Sequence, residues 1–376
     1  MARAGDGPPA EGPEVAAYRA AGLWDPDAPR AGERLELLDW LVHARGFTVG
    51  ELATARTEGR TGSLAGDRVL RPEPRWTVAD VAARLALAPA AIEATWRAAG
   101  FAPGDPSARR FTDAEADALA VIRATPDVFS ETEAMHFIRV VGASLSRIAD
   151  AAVSLFLQDV EAPLVAAGGS ELVLAQKNLR AIELLLGLTP LIDVLFRAHV
   201  EEAIRRSRVA RAQRADYHAA AMAIGFVDLV GFTPLADQLS PAELGRLVAD
   251  FEARAFDAVA EHGGRVVKLI GDEVMFVALD AEAACRAALA LIAGFRDGGR
   301  ATPRGGVAFG DLVIRGGDYY GPVVNLAARM AELAVPSELL VTPAVARRAP
   351  GLAFAPAGRR MPKGFTTPVE LLSAEA

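Results

Sequence analysis

Two aspartates at the ends of apolar runs have the right type and setting to hold a divalent cation together. Asp228 follows the hydrophobic run 221–227, and Asp272 stands in a tight turn between the apolar runs 266–270 and 274–279. A continuously apolar run is typical of a strand buried on both faces, and a short turn between two such runs predicts a hairpin. Carboxylates placed side by side in a buried site repel each other unless a cation neutralises them. The pair therefore predicts a site for a hard cation such as Mg²⁺, which binds carboxylate oxygens and substrate phosphates.

Four more polar residues accompany these aspartates. Lys268 precedes the turn, and Asp318 follows a pair of glycines. Asn325 and Arg329 are four positions apart, so they lie one above the other on a helix face. Each residue taken alone has an ordinary explanation, such as a turn residue, a solvated strand charge, a helix cap or a surface ion pair. Their joint occurrence favours a functional site.

These positions lie in three segments that resemble the motifs of class III nucleotidyl cyclases. The segments are Phe226-Val-Asp-Leu-Val-Gly-Phe-Thr233, Lys268-x-x-Gly-Asp-x-x-Met275 and Asp318-x-x-Gly-x-x-x-Asn-x-x-x-Arg329. The resemblance covers residues 219–369. It implies that Asp228 and Asp272 hold two Mg²⁺ or Mn²⁺ ions per active site.

The same resemblance implies an adenylate cyclase, which converts ATP into cyclic AMP and pyrophosphate. Lys268 would donate to adenine N1 and Asp318 would accept from the N6 amine; guanine presents the opposite pattern, so ATP is the expected substrate. Asn325 would position the ribose, and Arg329 would stabilise charge that develops on the phosphoryl oxygens. In the family, the metal carboxylates and the Asn and Arg come from different catalytic domains. One copy that carries all six residues therefore implies a head-to-tail homodimer.

The predicted elements indicate an α+β chain. An all-helical N-terminal regulatory domain precedes a linker helix and a class III cyclase domain. The order of elements in that last domain is strand-helix-strand-strand-helix-strand, a ferredoxin-like order with helices on one face of an antiparallel sheet. The expected boundaries are a mobile N-terminal segment at 1–30, the helical domain at 31–196, the connecting helix at 197–216 and the catalytic domain at 217–376.

Within the helical domain, residues 76–125 resemble the helix-turn-helix of MerR-type regulators. The second helix of this segment carries only Arg97 as a cation, beside Glu93. DNA binding requires several phosphate contacts, so DNA is not expected as a partner. Residues 59–74 contain several glycines and prolines and are predicted to form a loop.

Composition and charge exclude several classes of protein. The formal net charge of -8 does not indicate that the chain as a whole binds nucleic acid or anionic membranes. A single cysteine, Cys285, excludes a disulfide framework and fits a reducing compartment. The N-terminus lacks the apolar core of a signal peptide, and the hydrophobic stretch 182–196 is too short and too interrupted to span a bilayer. We therefore expect a cytoplasmic protein without a transmembrane segment.

The layout of the chain also resembles actinobacterial adenylate cyclases with an autoinhibitory, pH-responsive N-terminal domain. This resemblance implies regulation by acidification and makes a fatty acid a candidate ligand of the helical domain. His199 stands where an apolar segment meets a charged one, and because histidine titrates near neutral pH we predict a regulatory role for it. A solitary histidine at such a junction is more often a plain surface residue. The alternative function is a catalytically silent nucleotide-binding module that passes an ATP signal to partners.

Overall fold

The computed structural model describes residues 12–124, 127–211, 219–295 and 301–375. These residues fall into two compact units, which meet in the sequence between Phe196 and Arg197. Parts of the predicted segments lie outside the described residues, namely residues 1–11 of the N-terminal segment and 212–216 of the connecting helix.

The first unit consists of helices in its described part. They are α1 (Pro13–Ala20), α2 (Ala31–Asp39), α3 (Val49–Thr57), α4 (Leu64–Leu70), α5 (Val78–Leu85), α6 (Pro89–Ala98), α7 (Asp113–Ala118), α8 (Val121–Ala124), α9 (Glu131–Phe156), α10 (Ala162–Ala166), α11 (Glu171–Gly187) and the start of α12 (Thr189–Arg211). Two π-helical turns, Trp40–Ala44 and Leu157–Glu161, extend α2 and join α9 to α10.

Two segments of this unit are more ordered than the sequence analysis predicts. Residues 13–20 form helix α1, and its Tyr18 packs with Leu23 in a buried apolar cluster, so the described part of the N-terminal segment is not a mobile tail. Residues 59–74 contain helix α4 instead of only a loop. Gly66 of α4 lies against Ile182 of α11 so closely that a Cβ atom would collide with it. Glycine therefore serves close helix packing at this position rather than a turn.

The predicted helix-turn-helix is present as α5 and α6, which pack around Val81, Ile92 and Phe111. Several arginines on or beside the motif are engaged by carboxylates. Arg110 pairs with Glu93 at 2.7 Å, and further pairs join Arg71 to Glu115, Arg75 to Asp113 and Arg84 to Asp117. These pairs neutralise part of the positive charge in this region, and the expectation that DNA is not a partner stays a prediction.

Helix α12 runs without interruption from Thr189 to Arg211, so the connecting segment is the second half of a longer helix. Its Ala210 is buried in the core of the second unit. The described residues include one continuous helical stretch, Glu131–Ala166, that has the length and composition of a membrane span. This stretch is not the one that the sequence analysis considered. On length and composition alone it does not establish a span.

The second unit combines a mixed sheet with helices. Its elements are β1 (Ala219–Val230), α13 (Phe232–Ala236), α14 (Pro241–Glu261), β2 (Arg265–Ile270), β3 (Glu273–Ala278), α15 (Ala281–Ala293), β4 (Thr302–Arg315), β5 (Asp318–Tyr320), α16 (Pro322–Leu333), β6 (Leu339–Val341), α17 (Pro343–Ala346), β7 (Ala353–Arg360) and β8 (Val369–Glu375). The strand order is β2-β3-β1-β4-β6-β8-β7, with β5 paired to β4.

Helices cover both faces of this sheet. Along β1, Ala223 and Val227 pack with α14 and α15, whereas Ile224 and Phe226 pack with α16. Because successive side chains of a strand point to opposite faces, α16 lies across the sheet from α14 and α15. The two helices of the predicted strand-helix-strand-strand-helix-strand order, α14 and α15, therefore share one face as expected, and α16 adds a helix to the other face. The pairing of β4 with β6 is parallel, which makes the sheet mixed rather than wholly antiparallel.

Candidate active site

Asp228 lies near the end of β1 between two charged neighbours. It stands opposite Glu273 of β3 on one side and Arg304 of β4 on the other. The guanidinium of Arg304 holds both carboxylate oxygens, with Nε 2.9 Å from Oδ1 and Nη2 3.1 Å from Oδ2. Arg304 also donates to the backbone carbonyl oxygen of Glu332 at 2.6 Å. The Asp228 carboxylate is thus a fixed, partly buried anion at the end of a central strand.

Asp272 is brought against the same strand end by its turn. Gly271 has a φ of +65°, a left-handed conformation that glycine adopts without strain. The backbone N–H of Leu229 donates to the carbonyl oxygen of Asp272 at 3.2 Å, so the turn closes onto the end of β1. Burial raises the pKa of Asp272, and the nearby carboxylate of Asp228 raises it further while Arg304 opposes the rise. The two aspartates therefore form the electrostatically coupled pair that the sequence predicts.

Glu273 joins this pair and was not singled out from the sequence. Burial, followed by the carboxylates of Asp228, Asp272 and Glu332, raises the pKa of Glu273 to about 7. Its signal in the sequence was only its place beside Asp272, because the register that sets it opposite Asp228 becomes visible in the folded sheet alone. We call Asp228, Asp272 and Glu273 the acidic cluster.

The donor chemistry of the acidic cluster fits a hard divalent cation. Burial and neighbouring carboxylates raise the pKa of Asp272 and of Glu273, and a cation that neutralises such a cluster stabilises it. Among the described residues, no group of three or more His, Cys, Asp and Glu side chains is arranged to enclose a metal ion. Mg²⁺ does not need such an enclosure, because it commonly uses one or two carboxylates together with substrate phosphates. Asp228 and Asp272 are the residues that would hold it.

Lys268 and Asp318 meet across two different strands. Lys268 lies on β2 and Asp318 opens β5, and the ammonium Nζ is 2.5 Å from Oδ2. The second oxygen, Oδ1, accepts from the backbone N–H of Tyr319 at 2.8 Å. Both side chains are partly exposed, so a ligand can reach them. The structure thus brings together a donor and an acceptor that the sequence separates by fifty positions.

Asn325 and Arg329 form a separate group on α16. Arg329 is paired with Glu332 one turn further along the helix. In the part of the chain that the structure describes, no hydrogen bond or ion pair joins either residue to Lys268, Asp318 or the acidic cluster. Within one chain, the six predicted residues therefore fall into three groups.

His199 lies on the second half of α12 and lines a cavity of the second unit. Its neighbours in that lining include Arg206, Arg211 and Arg265. The regulatory role of His199 stays a prediction.

Comparisons with known proteins place this geometry in context. A family model described as an adenylate cyclase regulatory domain matches residues 20–205. A Streptomyces coelicolor protein named adenylate cyclase is 33% identical over 74% of this chain and 72% of its own length. A Mycobacterium tuberculosis protein named pH-sensitive adenylate cyclase is 28% identical over 93% of this chain and 89% of its own. Among solved structures, the adenylyl cyclase CyaB from P. aeruginosa is 22% identical, covers 42% of this chain and 95% of its own, and has a TM-score of 0.39.

Proposed function

The chain belongs to the class III adenylate cyclase family, and from this premise we propose that it makes cyclic AMP and pyrophosphate from ATP at sites formed by two copies of the chain. The observation that carries the proposal is the convergence of two groups on the β2–β3 hairpin. The acidic cluster lies at the turn of this hairpin, and the Lys268–Asp318 pair engages its first strand.

The Lys268–Asp318 pair is suited to recognise adenine. In the free chain the two side chains satisfy each other at 2.5 Å. An adenine edge offers an acceptor at N1 beside a donor at N6, so it replaces their mutual bond with one bond to each residue. Guanine presents a donor at N1 and an acceptor at O6. The Lys268 donor would then face a donor, and the Asp318 acceptor would face an acceptor. A base that cannot pair with these groups leaves them without partners once it covers them, which favours ATP over GTP.

The acidic cluster is suited to the reacting phosphates. Asp228 and Asp272 would hold two Mg²⁺ or Mn²⁺ ions, and bound divalent ions of this kind lower the pKa of a hydroxyl and neutralise phosphoryl oxygens. Arg304 neutralises Asp228 in the free chain. We propose that Arg304 releases Asp228 to the metal ions and binds a phosphate oxygen of the nucleotide instead, because arginine binds carboxylate and phosphate with the same planar geometry.

Asn325 and Arg329 complete the site from a second chain. They lie four positions apart on α16, and among the described residues no hydrogen bond or ion pair joins them to the other four predicted residues. The attack of the ribose 3′-oxygen on the α-phosphate places negative charge on phosphoryl oxygens, which a fixed guanidinium stabilises. Arg329 would therefore exchange Glu332 for the phosphate of the partner's substrate, and Asn325 would orient the ribose.

The helical unit would regulate this reaction. The match of its residues to a regulatory domain and the name of the pH-sensitive relative support control by acidification. His199 is the residue that we propose to transmit it, and a fatty acid is the proposed ligand of the helical unit. The single, buried cysteine and the use of ATP support a cytoplasmic location, which fractionation of cells expressing the full chain would test.

Activity of the purified full-length chain tests the function. With Mn²⁺ and ATP we expect cyclic AMP and pyrophosphate, and Asp272→Asn should lower the rate by about a hundredfold or more, as loss of one preorganised group typically does. The control is Asp257→Asn, which changes an exposed acid of α14. Unchanged activity of Asp272→Asn would contradict the assigned metal role. Binding of ATP without pyrophosphate release, at any pH and with either metal, would support the silent nucleotide-binding module instead.

A fragment tests the regulation. The fragment 197–376 keeps the second half of α12, whose Ala210 belongs to the core of the catalytic unit. We expect its activity to vary less with pH than that of the full chain. An identical pH profile for the two proteins would contradict control by the helical unit.

A further inference from the structure

The second unit contains a cavity of about 620 Å³ that the proposed reaction does not use. Its walls come from α12, α14, the start of β2 and strands β1, β4 and β5, all within the second unit. Small-molecule sites in proteins typically have volumes of about 300–1,000 Å³. The cavity is therefore large enough for a ligand rather than for a few waters.

Most of the lining is apolar. The large apolar side chains that line the cavity are Met222, Phe256, Val259, Val266, Ile314 and Tyr319. Helix α12 contributes the small residues Ala203 and Ala210, which leave the space open. Phe256 keeps 52% of its surface exposed at this place. Apolar surface of this kind is stabilised when an apolar body covers it.

The charged residues of the lining are all basic. Arg206, Arg211, Arg265 and His199 contribute to it, and no Asp or Glu is among its described residues. The Nε atom of Arg265 is buried and has no hydrogen-bond partner among the residues that the structure describes. Its Nη2 donates to the Tyr319 hydroxyl at 3.2 Å and to the carbonyl oxygen of Gly317 at 3.3 Å. The guanidinium thus has neutral partners in the described structure and no carboxylate counter-ion.

Arg206 has its counter-ion outside the cavity. Its Nη1 is 3.1 Å from Glu202, which also pairs with the exposed Arg205 on the same helix. The side chain of Arg206 is 18% exposed, compared with 61% for Arg205. One carboxylate is therefore shared between two arginines, and the one that lines the cavity is the more desolvated.

We propose that this cavity binds an amphipathic organic anion, with a carboxylate at Arg265 and Arg206 and an aliphatic or aromatic body against the apolar wall. A partly buried guanidinium without an anion is unfavourable, and a carboxylate matches its planar donors in pairs. A nucleotide is excluded by the wall, because its ribose and triphosphate would be desolvated against apolar side chains.

Occupation of this site would act on two parts of the catalytic unit. The ligand would bridge α12 and the sheet, and so hold the second half of α12 in place. The cavity residues Val266 and Tyr319 also lie within two positions of Lys268 and Asp318 along the chain. Ligand binding is therefore positioned to couple with nucleotide binding, and such coupling is reciprocal. The binding claim itself does not depend on the proposed catalytic function.

Calorimetric titration of the full-length chain with decanoate, below its critical micelle concentration, tests the proposal. We expect saturable binding of one decanoate per chain at this cavity, separate from a fatty acid held by the helical unit, and binding of decanol to the cavity that is weaker by about tenfold or more, since a charged hydrogen bond is lost. Arg206→Gln and Arg265→Gln should each weaken decanoate by a similar factor. Arg205→Gln is the matched control, because Arg205 shares Glu202 with Arg206 but does not line the cavity. This variant should bind decanoate as tightly as the unaltered chain does. Ala203→Phe should lower the stoichiometry by one decanoate per chain, because it fills the cavity and leaves the helical unit unchanged.

Three results would overturn the proposal. The first is equal affinity for decanoate and decanol, which would show adsorption to apolar surface. The second is full binding in both Arg206→Gln and Ala203→Phe, which would place the site elsewhere, for example on the helical unit. The third is the absence of saturable binding while circular dichroism shows a folded chain. The Ala203→Phe variant keeps the test decisive if Arg265→Gln fails to fold.

Discussion

Replacement of Glu273 by glutamine should change the stability of the catalytic unit in a pH-dependent way. The carboxyl group of Glu273 is held among Asp228, Asp272 and Glu332, and burial with these neighbours raises its pKa to about 7. Between the ordinary glutamate pKa of about 4.5 and this value, the native chain binds a proton that the unfolded chain releases. The free energy of unfolding therefore falls as the pH rises from about 4.5 to about 7, and it falls no further above that pH.

The size of the effect follows from the same values. A pKa difference of this size corresponds to about 3 kcal/mol, and partial solvent exposure of the group reduces the expectation to about 1–2 kcal/mol. Glutamine mimics the protonated acid. Glu273→Gln should therefore be more stable than the unaltered chain by about this amount at pH 8 in EDTA, and about equal to it at pH 5.

Urea unfolding at the two pH values measures this difference. All four tryptophans lie between residues 24 and 96, so tryptophan fluorescence follows the helical unit, whereas far-UV circular dichroism includes the catalytic unit. We expect the added stability of Glu273→Gln to appear in the unfolding transition that circular dichroism records. The control is Glu261→Gln, which changes an exposed acid of α14. Equal stabilisation at pH 5 and pH 8, or a less stable variant at pH 8, would refute the electrostatic account of the acidic cluster.

Three further changes test other parts of the account. Lys268→Met should lower kcat/KM for ATP by about tenfold or more and reduce the preference for ATP over GTP, because a charged hydrogen bond to the base is lost. The exposed Lys363→Met is the control. Unchanged selectivity in Lys268→Met would contradict base recognition by Lys268. Gly306→Ala would set a Cβ 2.5 Å from the Ala327 carbonyl oxygen and should lower the free energy of unfolding by about 1–3 kcal/mol. The control is Gly245→Ala on α14, whose added Cβ meets no described atom within 4 Å and should not lower the free energy of unfolding. His199→Asn should flatten the activity profile between pH 5.5 and 7.5, with His43→Asn in the helical unit as the control, and an unchanged profile would remove His199 from the regulation.

The sequence predicts local features of the catalytic unit well, because they depend on neighbouring residues. The β2–β3 hairpin follows from two apolar runs around Gly271, and α14 follows from Ser240, which caps the helix together with Glu243. Asp228 was predicted at a strand end and Asp272 in a hairpin turn, and the family resemblance implied that the two act as a pair. Their electrostatic coupling in the structure agrees with that reasoning.

Residues that depend on strand register were missed. Arg304 is 76 positions from Asp228 and reaches it only because β4 pairs with β1 in one particular register. Nothing near Arg304 in the sequence, which reads Thr-Pro-Arg-Gly-Gly, indicates an ion pair. Glu273 was overlooked for the same reason. Long-range pairing decides which charges meet, and a single sequence does not display it.

Helix packing explains the remaining differences. Continuous hydrogen bonding carries α12 through the change from apolar to charged residues near Phe196, where a boundary between two helices was expected. Helix α1 exists because Tyr18 has a buried cluster to join, although its sequence is rich in small and charged residues. In both cases tertiary contacts stabilise a helix that local composition does not indicate.

The central claim is that each active site takes its acidic cluster from one chain and its Asn325 and Arg329 from another. Co-expression of Asp272→Asn with Arg329→Ala, each inactive alone, tests it directly by cyclic AMP formation. Random pairing makes half of the dimers mixed, and each mixed dimer has one intact site, so the account predicts about a quarter of the unaltered activity. Inactive mixed dimers, with their composition verified by mass spectrometry, would contradict it, as would an Arg329→Ala chain that is fully active by itself.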